Sequence, residues 1–141
     1  MSKNSYEGPS VANIDVEYKT KINKLKEKHK DDPEHILNKL ELKDIYLLAI
    51  SLALKNQTKP KKSKKKDWII RTSYLKEEDL SLLKSLIYDF SKKIELLLPE
   101  NSDVFYTLCE ELANAGMSNA LEMLEDSGAV EREVLLLSGK L

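Results

Sequence analysis

Residues 40–54 constrain the fold of this chain more than any other stretch. The run L-E-L-K-D-I-Y-L-L-A-I-S-L-A-L places apolar side chains on more than one face at helical spacing, the pattern of a helix wrapped by neighbours on most sides. Leu42, Ile45, Tyr46, Ala49, Ile50 and Ala53 line one broad face. Leu40, Leu47, Leu48, Leu52 and Leu54 cover much of the rest, which leaves Lys43, Asp44 and Ser51 for solvent. Ala49 and Ala53, four apart, admit a second helix at close range. The run carries Glu41, Lys43 and Asp44 and is too short to span a bilayer, so no membrane partner is expected.

A lysine tract follows directly. Seven lysines fall within residues 55–66, and Pro60 prevents a continuous helix through them. The tract reads as an exposed basic loop over residues 55–67, anchored by the hydrophobic helix before it and by Trp68 after it. Net charge is -1, but residues 1–71 hold 17 of the 23 basic residues and 10 of the 24 acidic ones, a net of +7; the remainder carries -8. A basic side offered to an anion is one consequence, and helices of opposite charge packing together is the other.

At 141 residues the chain has the size of one domain that buries a core without metals or disulfides. Its one cysteine, Cys109, has no internal partner, and the chain opens without a secretory pattern, so a cytoplasmic location is expected. Residues 1–12 read as a flexible tail and residues 13–141 as a single helical domain. The expected fold is mainly α: a small bundle of about five helices around the central hydrophobic one, with room for a minor two-stranded element.

The first helix is expected from Asn13 or Asp15 to about Lys30, with Ile14, Tyr18, Ile22 and Leu25 on one stripe. Asp32 before Pro33, or Asn38 with Glu41, can start the next. Trp68-Ile69-Ile70-Arg71 is β-branched and aromatic, and a pairing with residues 134–137 would make it a strand. A third helix spans about 75–92. Residues 94–98 extend it or form a buried connection closed by Pro99. A fourth helix from Asn101 or Ser102 ends at Gly116, and a fifth restarts at Ser118 or Asn119, making residues 113–116 a tight helical corner.

Chemistry is sparse. His29 and His35 stand far in sequence from Cys109, which sits on an apolar stripe as a core cysteine does. No Cys-x-x-Cys, His-Glu-x-x-His, calcium-loop or phosphate-loop pattern occurs, so no metal or other cofactor is expected, and no catalytic set is evident. A non-enzymatic protein is the expectation. Lys55, Lys59, Lys61, Lys62, Lys64, Lys65 and Lys66, with Arg71 and a base-stacking Trp68, are the candidate nucleic-acid-binding residues. Lysines hold phosphates as point charges and position without reading bases. Lys19, Lys21, Lys24, Lys26, Lys28 and Lys30 would enlarge the patch if they face it.

The phrase E-L-K-D-I-Y-L-L-A-I-S-L-A-L-K-N, then the basic loop, then A-N-A-G-M-S-N-A-L, resembles small accessory proteins found with prokaryotic DNA phosphorothioation (sulfur modification) and restriction systems. The likeness runs over residues 40–128. In those proteins a Y-A-N-G-G-like segment opens the final helix, whereas here Ala115 stands where the first glycine would, and residues 1–39 have no counterpart. The resemblance implies a place in a defence or DNA-modification complex. Two functions are therefore expected as alternatives: an accessory protein binding double-stranded DNA non-specifically through the lysine loop, within a larger assembly, or a protein-interaction subunit whose basic loop meets an acidic partner.

Overall fold

The computed structural model describes residues 8–126. In chain order these form strand β1 (Val11–Asp15), helix α1 (Val16–Lys28), helix α2 (Leu42–Lys55), strand β2 (Lys66–Arg71), helix α3 (Glu77–Ser91) and helix α4 (Ser102–Glu125). Short 3-10 helices fill the connections at Ile36–Asn38, Thr72–Tyr74, Ile94–Leu97 and Pro99–Asn101. The result is a mainly helical bundle with a minor two-stranded antiparallel ribbon.

α2 is the buried centre that its composition demands. Ile45, Tyr46, Leu48, Ala49, Ile50 and Ala53 are wholly inaccessible. Its start is closed by Glu41, whose N–H donates to the Asp44 carboxylate at 2.8 Å, and by the reciprocal bond of a capping box. Its end is closed by Gln57 at a left-handed φ of 54°, which lets the Thr58 N–H donate to the Ala53 carbonyl at 2.8 Å. Lys43, expected at the surface, is instead buried, because its ammonium donates to Asp79 of α3 at 2.9 Å.

α4 packs more extensively on α2 than any other helix does, and here the expected corner is corrected. Residues 102–125 form one unbroken helix, so the described chain has four α-helices where five were expected. Gly116 is there for closeness. A Cβ on it would lie 1.8 Å from the Ala49 carbonyl oxygen and 2.9 Å from the Ala53 nitrogen, both backbone atoms of α2. The two helices touch because glycine has no side chain and the alanines opposite have small ones.

The strand at residues 66–71 exists, but its partner is β1, in register Val11↔Arg71, Ala12↔Ile70, Asn13↔Trp68, Ile14↔Asp67 and Asp15↔Lys66. Residues 134–137, the expected partner, lie outside the described residues. Val11 and Ala12, read as tail, open β1. Ile69 is unpaired in this register and forms a bulge, so that both Ile69 and Ile70 are buried.

The link between α1 and α2 is a turn and not a further α-helix. Asn38 does not cap: its amide donates to the carbonyls of His29 and Asp32 at 2.8 and 2.6 Å, closing the turn. The His29 and His35 rings stack with centroids 3.9 Å apart, and His29 Nε2 lies 3.2 Å from Glu125, tying the end of α1 to that of α4. After α3, Lys92 at a φ of 59° stops the helix before residues 94–98, so these do not extend it. Among the described residues no helix is long and apolar enough to cross a membrane.

Candidate nucleic-acid interface

The lysine tract is strapped to the bundle by buried polar groups. Asp15, the last residue of β1, stands at the centre. One carboxylate oxygen accepts the Glu17 N–H at 3.0 Å and so caps α1; the other accepts the Lys64 N–H at 2.7 Å. These two bonds, Glu17 first, hold the carboxyl below the usual carboxylate range against the effect of burial.

Asn114, 1% exposed on α4, forms the other half of the fastening. Its Oδ1 accepts the Asp15 N–H at 2.9 Å, and its Nδ2 donates to the Lys61 carbonyl at 2.9 Å and to Ser63 Oγ at 2.8 Å. Ser63 Oγ donates in turn to Glu110 at 2.6 Å. Backbone bonds complete the strap: Lys61 N–H to the Glu111 carbonyl at 2.9 Å, and Val16 N–H to the Lys65 carbonyl at 2.8 Å. Residues 61–65 are thus held at Lys61, Ser63, Lys64 and Lys65, so this stretch of the expected exposed loop is fastened to the bundle. Asp15, Glu110 and Asn114 are buried because each is satisfied there.

With the backbone committed inward, the side chains of Lys62, Lys64, Lys65 and Lys66 turn to solvent, and among the described residues none of the four forms a salt bridge. Lys61 is exposed but held: its Nζ donates to the Tyr18 hydroxyl at 2.6 Å, which pushes its pKa up. Lys19 joins this surface from α1, paired with Asp67 at 3.2 Å and with its Nζ 4.4 Å from the Trp68 ring centroid. That bond to Lys19, followed by the Trp68 N–H, lowers the Asp67 pKa. Trp68 is 46% exposed and Arg71 is exposed on the same ribbon.

The other expected residues lie apart. Lys55 is the last residue of α2, and Lys59 lines a cleft with Asp89, Phe90 and Lys92 at the far ends of α2 and α3. Of the α1 lysines, Lys19 reaches the ribbon through Asp67 and Trp68. Lys28 turns to Glu125, and Lys21 and Lys24 line a cleft with α4. The candidate site is therefore Lys61, Lys62, Lys64, Lys65, Lys66, Trp68 and Arg71, with Lys19 added.

No protein-family model, curated protein or solved structure matches the chain. What this surface can bind follows from its own chemistry.

That chemistry is cationic and donor-rich. Among the described residues no group of three or more His, Cys, Asp or Glu side chains could hold a metal ion. Cys109 is fully buried, and burial pushes its thiol pKa up, away from the thiolate a nucleophile requires. Asn114, Asp15, Ser63, Glu110 and Tyr18 escaped the sequence reading as site residues. The one signal for them was a polar Asn114 within an otherwise apolar stretch of α4.

Proposed function

We propose that this chain is a non-enzymatic accessory protein that binds the phosphate backbone of DNA, without sequence preference, through the lysine strap at residues 61–66 with Lys19 and Arg71 beside it. One observation carries the reading: the tract's backbone is fastened by a buried network while four of its lysines remain exposed and outside any described salt bridge. A loop whose charge served solubility alone needs no such fastening. Pre-ordered cations do not lose backbone freedom when they meet phosphates. Lysines without a bidentate reader position a duplex and do not read it. The resemblance of residues 40–128 supports placing this activity in a DNA-modification or defence complex.

A second reading has its own support. Ile94, Leu98 and Val104 are 64%, 45% and 54% exposed, a density of large apolar side chains that suits contact with another protein subunit. In that reading the strap meets an acidic partner.

Binding to a duplex across about 50 to 200 mM salt separates the two. The proposal predicts tight binding at low salt and a steep linear fall of log K with log salt. The quadruple variant K62Q/K64Q/K65Q/K66Q spares Lys61 and its bond to Tyr18, and it should shallow the slope by up to about 0.9 for each phosphate that is no longer neutralised. Unchanged duplex binding by that variant would defeat the lysine mechanism. A stable protein complex indifferent to the same four changes would favour the second reading.

A further inference from the structure

The outer face of the ribbon is built around an aromatic ring. In β2 the buried positions are Ile69 and Ile70, and the outward ones are Lys66, Trp68 and Arg71. Strand side chains alternate with period two, so residues 68 and 71 would ordinarily point to opposite faces. The bulge at Ile69 removes that opposition and brings Trp68 and Arg71 to one side. Trp68 sits opposite Asn13, between Lys66 and Arg71, with Lys19 Nζ 4.4 Å from its centroid.

This indole contributes little to the core. Trp68 belongs neither to the buried hydrophobic cluster nor to the half-buried residues packed against it, and it is 46% exposed. About half of a large flat side chain therefore stands in solvent, with Lys19 over the ring and Lys66 and Arg71 on the same strand. That combination is what extended single strands use: cations follow the backbone while bases stack on aromatic rings. A base within a duplex has both faces already stacked, so it reaches an indole only after unstacking.

We propose that Trp68 is a base-stacking platform and that the strap's preferred ligand is nucleic acid with unpaired bases, in single strands or in single-stranded stretches of a duplex. This deepens the phosphate-binding reading and rests on it. Lys64, Lys65, Lys66 and Arg71 hold the phosphates flanking the stacked base. A base takes either the indole face away from Lys19 or the place of the Lys19 ammonium, which then pairs with a phosphate.

Trp68 is the only tryptophan in the chain, so intrinsic fluorescence reports this ring directly. The probes are dT and rU oligomers of about ten nucleotides, within the span such surfaces cover, a blunt duplex of equal length, and heparin as a polyanion without bases. The dT and rU strands should quench the fluorescence, and duplex and heparin should bind without comparable quenching. The tighter of dT and rU tells whether the source is DNA or RNA. Trp68→Leu should weaken strand binding roughly 5- to 150-fold and heparin binding far less. Trp68→Phe, which keeps a smaller ring, should recover part of the loss. If heparin and duplex bind but Trp68→Leu holds strands as wild type does, or heparin quenches as much as dT, the stacking proposal fails and the phosphate reading stands. If no probe binds at low salt, the phosphate reading fails and the platform falls with it.

Discussion

Gly116 and the Lys43–Asp79 pair show how single residues set this fold. Gly116→Ala would raise intrinsic helix propensity by about 1 kcal/mol, yet its methyl has to enter space held by α2 backbone. Overpacking of this kind costs about 1–3 kcal/mol or more, so the variant should be less stable in urea despite the better helix former. Lys43 and Asp79 have side chains 9% and 18% exposed and lie 2.9 Å apart. Removing either partner alone should cost about 3–5 kcal/mol, whereas K43M/D79L should recover much of that loss. Burial opposes the Asp79 charge, but the bonds from Lys43 and from the Lys76 N–H outweigh it and leave the carboxyl below its ordinary range. Lys43 is raised, chiefly by its bond to Asp79. A carboxyl lowered on folding contributes fully above its unfolded value of about 4, and that contribution is lost as pH falls through the lowered value. An ammonium raised on folding contributes fully below about 10 and is lost as pH rises through the raised value. Chemical denaturation as a function of pH should therefore show a plateau between those limits. In Asp79→Asn the acid-side fall should be smaller.

At the scale of elements, the structure turns on the fastening of residues 61–65. Asn114→Ala removes three hydrogen bonds, each worth about 0.5–1.5 kcal/mol net, and leaves the Asp15 N–H and the Lys61 carbonyl without that partner. Stability should fall by roughly 2–4 kcal/mol, and hydrogen exchange at the Lys64 amide should quicken more than exchange in the middle of α2. The legibility of each element follows the range of the interactions that make it. α2 could be read because its burial is written in its own composition. Gly116 near small polar residues looks like a helix end, and only the approach of α2 shows why it is there. β1 is hard to read because V-A-N-I-D has no marked alternation and its partner lies 51 to 60 residues onward. The lysines were plain in sequence. Their fastening was not, since Asp15, Ser63 and Asn114 become a network only when three distant segments meet.

For the whole molecule, the opposite charge of the two halves becomes a spatial arrangement. Lys43 of the basic half pairs with Asp79 of the acidic half, and Glu125 holds the end of α1 through Lys28 and His29, while Glu110 and Asn114 fasten the tract through Ser63 and the Lys61 carbonyl. Helices from the two halves do pack together, and a cationic surface is still left over at residues 62–66. The network shapes this surface by fixing the tract, beyond merely supplying charge. Asn114→Ala tests it most directly, because net charge is unchanged. Duplex affinity at low salt, measured beside Lys64 amide exchange under conditions where the variant remains folded, should fall about tenfold or more, since ordering even one released residue costs about 1–2 kcal/mol. Faster Lys64 exchange with wild-type affinity would contradict the claim, because loose lysines would then bind as well as fixed ones.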